Sequence, residues 1–468
     1  MSNIPVKDVT PKSESMYAKR EKIYVREIIG FFQKLRTYSL WALMLGYYGT
    51  VWINWGGRQA VYFDLPARQF NIFGVTFWPQ DFILLSFALI IAAFGLFTIT
   101  NLAGRVWCGY TCPQSAWSFL FMWIEERVEG SRNQRIKMDK ENISTSTLRK
   151  KALKHTLWLF VALATGVTFV GYFSPIRELI PDMFSAALNG WEIFWIAFFT
   201  LATYINAGWM REQVCIYMCP YARFQSVMYD ADTLAVSYDI NRGEPRGKRS
   251  KKAKQETDTT QLGDCVDCSL CVQVCPTGID IRDGLQYQCI GCALCIDACD
   301  SIMDKLNKPK GLIRYTTENE LEGKQTHLMR PRLLGYAFML LVMLSAFVYA
   351  IASRVPFELD IERDRGSLYR VTPNDTVTNS YTLKMMNMSQ QPRTYQLRVE
   401  GLPAVHMDAP ETYEIRVNEL REITVNLEID PAIAKLPSSK TDIEFVVVDQ
   451  QDGKEVAREE SRFIAPRN

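Results

Sequence analysis

Long apolar stretches constrain this chain more than any other feature. A backbone that crosses a bilayer must satisfy its hydrogen bonds within helices or a closed barrel, and a spanning helix needs about 20 mostly apolar residues. Five stretches meet this requirement, at 38–55, 82–102, 156–173, 191–209 and 333–352. A long polar segment precedes the first stretch, which excludes a cleaved signal peptide. The sequence therefore predicts a helical membrane domain of about five spans.

The distribution of Lys and Arg predicts the orientation of these spans. Both residue types are frequent before the first stretch and after the second and fourth, and they are rare in the other two loops. Because positively charged loops stay on the cytoplasmic side, we expect the N-terminus inside and the C-terminal part outside. The net charge is only +2, which argues against a nucleic-acid partner.

All twelve cysteines lie between residues 108 and 299, and eight of them form two runs of the pattern C-x-x-C-x-x-C-x-x-x-C. This is the spacing of bacterial two-cluster ferredoxins, in which the fourth cysteine of each run binds the other cluster. The first [4Fe–4S] cluster is predicted on Cys265, Cys268, Cys271 and Cys299, and the second on Cys275, Cys289, Cys292 and Cys295. Structural zinc, the alternative, favours paired Cys-x-x-Cys knuckles instead.

The other four cysteines form two copies of the motif C-x-Y-x-C-P, which we call the twin motifs. The first contains Cys108 and Cys112 after the second apolar stretch, and the second contains Cys215 and Cys219 after the fourth. Paired thiols suit soft Cu(I) or dithiol–disulfide exchange, so we predict a copper or redox site on these four residues. The alternative is that they are small residues that help helices to pack. A membrane haem is disfavoured, because no histidine lies inside a span.

The last part of the chain changes to an alternation of apolar and polar residues. Tyr381, Leu383 and Met385 show this period of two, and turn residues such as Gly401 and Pro403 separate the runs. Several short strands of this kind predict an antiparallel sandwich. We expect no catalytic site there, and we interpret His406 and Met407 as isolated residues rather than as a copper site.

Four sequences carry a family resemblance: Gly104-Arg-Val-Trp-Cys-Gly-Tyr-Thr-Cys-Pro-Gln, Cys215-Ile-Tyr-Met-Cys-Pro-Tyr-Ala-Arg-Phe-Gln, Arg242-Gly-Glu-Pro-Arg-Gly and Cys275-Pro-Thr-Gly-Ile-Asp-Ile-Arg-Asp-Gly-Leu-Gln. With them, the chain resembles the cytochrome c oxidase accessory protein family (CcoG, FixG, RdxA), which are membrane-bound polyferredoxin-type proteins. The resemblance implies a bacterial inner-membrane protein with a C-terminal immunoglobulin-like domain. It also implies partners in the assembly of cbb-type cytochrome c oxidase and in copper handling, and a role in reducing Cu(II) to Cu(I).

The predicted fold is multi-domain, with a helical membrane domain, a cytoplasmic ferredoxin-like insert and a periplasmic all-β immunoglobulin-like sandwich. The predicted segments are a cytoplasmic N-terminus (1–37), a four-helix membrane domain (38–230), a basic linker (231–260), a two-cluster domain (261–331), a fifth span (332–353) and the sandwich (354–468).

Three functional hypotheses remain open at this point. The first is an electron-transfer protein that reduces copper with electrons from an unknown cytoplasmic donor. The second is a quinol-linked carrier, with Tyr204, Asn206 and Trp209 bordering a quinone pocket. The third is a copper chaperone or assembly scaffold without catalytic activity.

Overall fold

The structure is a computed structural model that describes residues 22–142, 144–247, 262–327, 329–355, 357–364, 366–373, 375–389, 391–417, 419–430 and 439–466. Residues 1–21 of the predicted N-terminal segment and 248–260 of the predicted linker lie outside these ranges. The chain forms two compact units. One comprises Met1–Phe73 and Trp78–Leu344, and the other comprises Gly74–Phe77 and Ser345–Asn468.

The first unit is mainly helical. Its α-helices are α1 (Phe31–Thr50), α2 (Phe82–Ala103), α3 (Val106–Tyr110), α4 (Pro113–Glu129), α5 (Arg132–Lys140), α6 (Thr145–Val170), α7 (Ile176–Phe184), α8 (Gly190–Thr203), α9 (Pro220–Met228), α10 (Ile240–Gly243), α11 (Leu270–Gln273), α12 (Leu294–Lys305) and α13 (Glu318–Leu321). Two π-helical segments, Tyr204–Met210 and Val214–Met218, follow α8. Helix α14 (Pro331–Ala352) leads into the second unit.

Within the described ranges, four helices are long and apolar enough to cross a membrane: Phe82–Ala103, Thr145–Val170, Gly190–Met210 and Pro331–Ala352. The remaining predicted span, 38–55, is not among these four. The first predicted span is helical, but α1 begins at Phe31 and has Gln33, Lys34 and Arg36 in its first two turns. Those polar residues lower its apolar character.

Helix α1 is joined to the cysteine-rich segment at its N-terminus. The carboxylate of Asp297, on α12, accepts hydrogen bonds from the backbone N–H groups of Phe32 at 3.2 Å and Gln33 at 2.7 Å. A carboxylate at this position satisfies N–H groups that have no partner within the helix and complements the helix dipole. The cysteine-rich segment therefore packs directly against a helix of the membrane domain.

Short strands complete the first unit: β1 (Asn54–Trp55), β2 (Arg58–Gln59), β3 (Val61–Asp64), β4 (Gln69–Ile72), β6 (Ala235–Tyr238) and β7 (Ile313–Thr316). Strand β6 corrects the prediction that 231–260 is a linker throughout. Its alternate residues Val236 and Tyr238 are buried, and it pairs antiparallel with β7, beyond the second cysteine run.

The second unit is a two-sheet sandwich. Its strands are β8 (Phe357–Arg363), β9 (Arg370–Val371), β10 (Val377–Asn387), β11 (Arg393–Glu400), β12 (His406–Asp408), β13 (Thr412–Ile415), β14 (Leu420–Ile429), β15 (Lys440–Asp449) and β16 (Glu455–Ile464). The short strand β5 (Val75–Phe77) belongs to neither sheet of the sandwich. One sheet has the order β12-β14-β10-β8, with β9 paired to β10, and the other has the order β13-β11-β15-β16.

The sandwich core comes from the alternation seen in the sequence. Tyr381, Leu383 and Met385 of one sheet are fully buried, as is Phe445 of the other, and the rings of Tyr381 and Phe445 lie 5.2 Å apart. Alternate side chains of a strand point to one face, so each sheet presents its apolar face to the other. The predicted all-β immunoglobulin-like sandwich is confirmed.

We predict that substituting Gly30 with Ala weakens the attachment of α1. A Cβ atom at Gly30 would lie 2.1 Å from Cγ of Asp297, so this carboxylate must move away from the helix terminus. Loss of such a cap costs about 1 kcal/mol, and the apparent melting temperature in detergent should fall. The control is Gly46→Ala, because a Cβ atom there meets nothing within 4 Å. Equal melting temperatures for the two variants would contradict the role of this contact.

Candidate functional site

Four of the predicted cluster cysteines line one small cavity. These are Cys265, Cys268, Cys271 and Cys299. The first three lie on one tight loop, where Asp267 and Ser269 adopt left-handed backbone conformations. Cys299 comes from α12, and Cys268 is exposed whereas Cys265 and Cys271 are buried.

A second small cavity is lined by the other predicted set, Cys275, Cys289, Cys292 and Cys295. Cys271 also contributes to its wall. Helix α12 carries Cys295 toward this cavity and Cys299 toward the first. The structure therefore groups the eight thiols in the two predicted sets, including the exchange of the fourth cysteine of each run. Their roles as ligands remain predictions.

The chemistry of these cavities fits iron–sulfur clusters. Each is lined by four or more thiols and otherwise mainly by apolar side chains. Over the described parts of the chain, no three His, Cys, Asp or Glu side chains are grouped closely enough to hold one metal ion. The thiols line the wall of a cavity, an arrangement that suits a multi-atom cluster. Burial raises the pKa of Cys289 and Cys299 to about 12, so binding of a metal cluster must displace their protons.

The twin motifs share one backbone conformation. Each preceding helix ends at a residue with positive φ, Gly104 (55°) in the first copy and Arg211 (45°) in the second. The N–H group of Cys112 donates to the carbonyl of Trp107 at 2.9 Å, and Cys219 donates to Val214 at the same distance. A proline then begins the next helix in both copies.

Hydrogen bonds of the Arg211 side chain stabilise the positive φ angle of this residue. Left-handed backbone conformations disfavour residues with a Cβ atom, and the first copy has a glycine there. The guanidinium of Arg211 donates to the carbonyl of Gly208 and to the buried carboxylate of Glu125 on α4. This pair fixes the chain immediately before the second motif.

Each twin motif faces the helix that follows the other one. The Sγ atom of Cys108 lies 3.6 Å from Oε1 of Gln225 on α9. Cys215 lines a small cavity with Ser118 and Met122 of α4. The two copies are therefore crossed, in the manner of a pseudo-twofold pair.

The four thiols of the twin motifs influence one another without forming a closed metal site. Burial, reinforced by the neighbouring thiol of Cys112, raises the pKa of both Cys108 and Cys215 to about 12. In the described residues no three of these side chains are close enough to share one ion. A copper ion bound here would take two thiols or require the chain to adjust.

The first twin motif lies directly on the loop of the second cysteine-lined cavity. A Cβ atom at Gly109 would be 2.9 Å from Cα of Cys292, and one at Gly291 would be 3.0 Å from the backbone of Arg105. The Tyr110 hydroxyl donates to the carbonyl of Cys292 at 3.4 Å. Only glycine permits two backbones to approach so closely, so Gly109 and Gly291 set this contact.

Two buried arginines border the same loop, and sequence reasoning missed their role. Arg36 and Arg105 are 2% and 5% exposed. Nε of Arg36 donates to the carbonyl of Gly109 at 3.1 Å, and Nη1 of Arg105 donates to the carbonyl of Cys289 at 3.3 Å. In the sequence, both only add to the positive charge beside the apolar stretches. Arg105 precedes the first motif by three residues, which was a usable signal, whereas nothing in the sequence marks Arg36.

The other residues singled out in the sequence do not form one site. The Tyr204 hydroxyl and Nδ1 of His155 form a hydrogen bond of 2.8 Å, and the side chain of Trp209 is largely exposed. Asn206 lines a cavity between membrane helices. In the second unit, His406 and Met407 lie on the short strand β12 at the end of its sheet.

Two family models match parts of this chain. A family model described as a 4Fe-4S dicluster domain matches residues 210–318. A second, described as the IG-like fold at the C-terminal of FixG, matches residues 347–466. The crystal structure of a FixG-related protein from Vibrio parahaemolyticus is 35% identical and covers 23% of this chain and 95% of that one, with a TM-score of 0.22.

Three full-length relatives are similar to most of the chain. Nitrogen fixation protein FixG of Rhizobium meliloti is 36% identical over 452 residues, covering 89% of this chain and 85% of that protein. Protein RdxB of Cereibacter sphaeroides is 37% identical, with coverage of 95% and 96%, and protein RdxA of the same organism is 38% identical, with coverage of 83% and 84%. The chain thus belongs to the FixG/RdxA/RdxB family of membrane-associated iron–sulfur electron-transfer proteins.

Proposed function

We propose that this protein reduces Cu(II) to Cu(I) for insertion into a cbb-type cytochrome c oxidase. The observation that carries the proposal is the backbone contact between Gly109 of the first twin motif and Cys292 of the second cysteine-lined cavity. It places a set of soft thiols beside the proposed position of an electron carrier. The two [4Fe–4S] clusters, when bound by their eight cysteines, would supply one-electron storage and transfer.

The residues of the chain have distinct parts in this proposal. Each Cu(II) ion takes up one electron, which comes from a cytoplasmic donor, and leaves as Cu(I). Two of the thiols of Cys108, Cys112, Cys215 and Cys219, or all four once the chain adjusts, bind the copper as thiolates and release their protons. The guanidinium of Arg105 lowers the pKa of Cys108 against the larger raising effect of burial, so it favours the thiolate form. Soft thiolates prefer Cu(I) to hard cations.

The exposure of the cysteines suggests where electrons enter. All twelve cysteines lie in the described ranges, and Cys268 is the exposed one among them. It belongs to the first cavity, whereas the second is covered by the first twin motif. A soluble donor would therefore give its electron to the first cluster. Copper would bind the twin-motif thiols, which lie on the far side of the second cluster.

A second candidate function, oxidation of quinol, is favoured by an open cavity between membrane helices. Pro113, which follows Cys112, is in its wall, and the side chain of Gln114 donates to the carbonyls of Asn206 and Arg211. The remaining wall includes Tyr47, Trp117, Phe169 and Phe199. Mostly apolar walls with a few polar groups are typical of small-molecule sites. Reduction of the iron–sulfur absorbance by a quinol analogue, with no response to copper, would favour this function over the first.

We predict that replacing Cys108 or Cys215 with Ser lowers anaerobic Cu(II) reduction more than tenfold and leaves the iron content unchanged. A hydroxyl group cannot match a thiolate as a ligand for Cu(I). The matched comparison is Cys292→Ser, which should lose iron as well as activity. Copper binding without reduction in the wild-type protein would indicate a chaperone, and full activity in both twin-motif variants would show that copper is reduced elsewhere.

We also propose that the cysteine-lined cavities face the cytoplasm and that the sandwich lies in the periplasm, where it would contact oxidase-assembly or copper-handling partners. This orientation follows from the Lys/Arg distribution if α1 crosses the membrane in addition to the four more apolar helices.

The orientation can be tested with a cysteine at Lys454, an exposed residue between β15 and β16. We expect Lys454→Cys to react with a membrane-impermeant maleimide on intact spheroplasts, and the parent protein to remain unlabelled. Labelling that requires disrupted membranes would show an even number of spans and a cytoplasmic sandwich.

A further inference from the structure

The two buried arginines beside the second cavity have no acidic partner in the described part of the chain. The hydrogen bonds of Arg36 and Arg105 go to backbone carbonyls: Gly109 for Arg36, and Cys289 and Ala222 for Arg105. Phe119 lies against the guanidinium of Arg36. A buried charge without a counter-charge is strongly unfavourable. Each arginine interacts electrostatically with a cysteine of the second cavity, Arg36 with Cys292 and Arg105 with Cys289, so the thiolates of a bound second cluster would place negative charge beside them.

The first cavity has the opposite environment. Arg282 lines it, but this arginine is paired with the carboxylates of Asp267 and Asp280, both at 2.6 Å. Asp300 follows the ligand Cys299 directly and adds a further negative charge. The positive charge near the first cavity is therefore neutralised or outnumbered, whereas that near the second is not.

Two buried acids, Glu212 and Asp297, lie on the side of the second cavity. Glu212 lines a small cavity together with Arg36, so one acid faces the two arginines and a net positive charge remains. The charge of Asp297 is already balanced. Asp297 is 7% exposed, and its carboxylate accepts the N–H groups at the start of α1. The N-terminus of a helix carries a partial positive charge. Asp297 therefore offsets the α1 dipole and leaves the charges of Arg36 and Arg105 available to the cluster.

We propose that Arg36 and Arg105 raise the reduction potential of the second cluster above that of the first. The inference rests on the cluster assignment in the proposed function. Adding an electron makes a cluster more negative, and a nearby cation in a poorly screened interior stabilises that state. One electron lost by the cytoplasmic donor would then collect at the cluster beside the twin motifs, from which copper can take it.

The test is a redox titration of the anaerobically purified full-length protein, followed by electron paramagnetic resonance. We expect two potentials in the wild type, and Arg36→Gln should lower the higher one while the lower stays in place. Lys34→Gln is the matched control, because it removes the same charge from an exposed position two residues earlier on α1. Neither potential should change in that variant.

Two further variants separate charge from structure. Arg36→Lys keeps the charge and should retain the wild-type potentials. If Arg36→Gln loses iron, Arg105→Gln takes its place and should likewise lower the higher potential. The proposal is overturned if variants with full iron content keep both potentials, or if only the lower potential shifts. Because copper is absent from this titration, its result does not depend on copper reduction, and iron content tests the cluster assignment separately.

Discussion

The close approach of Gly109 to the backbone of Cys292 is the contact on which the arrangement of this protein depends. It brings a motif at the end of a membrane helix onto the loop that lines the second cysteine cavity. The hydroxyls of Tyr110 and Tyr315 and the guanidinium of Arg105 all donate to carbonyls of that loop. Removing any one hydrogen bond leaves the others, but a side chain at Gly109 would separate the two backbones.

A second attachment makes the membrane helices and the cysteine-rich segment parts of one unit. Asp297 lies on α12, between Cys295 and Cys299, and caps α1 at the same time. The helix that supplies one cysteine to each cavity is therefore held by the membrane domain. The positions of the thiols relative to the twin motifs are consequently set by packing, as electron transfer over short distances requires.

Much of this architecture could be predicted, because its causes are local. The cysteine spacing determines which thiols meet, and alternation over residues such as Tyr381 and Leu383 determines which face of a strand is buried. Contacts between segments that are far apart in the sequence produce no comparable sequence pattern. Nothing in the sequence distinguishes Arg36, which is buried, from Lys34, which is exposed. The polar residues in the first two turns of α1 make this helix less apolar than a typical span. Val236 and Tyr238 alternate within a segment that was predicted to be a basic linker, so their strand was not predicted.

The most direct test of the central claim is a single-turnover experiment with pre-reduced protein. The protein is reduced anaerobically, freed of reductant, and mixed with Cu(II) and a Cu(I)-specific chelator. We expect about two Cu(I) ions per chain, one for each one-electron [4Fe–4S] cluster, with the absorbance of the oxidised clusters returning in step. Cu(I) that forms without this return, or absorbance that returns only when a quinone is added, would contradict the account.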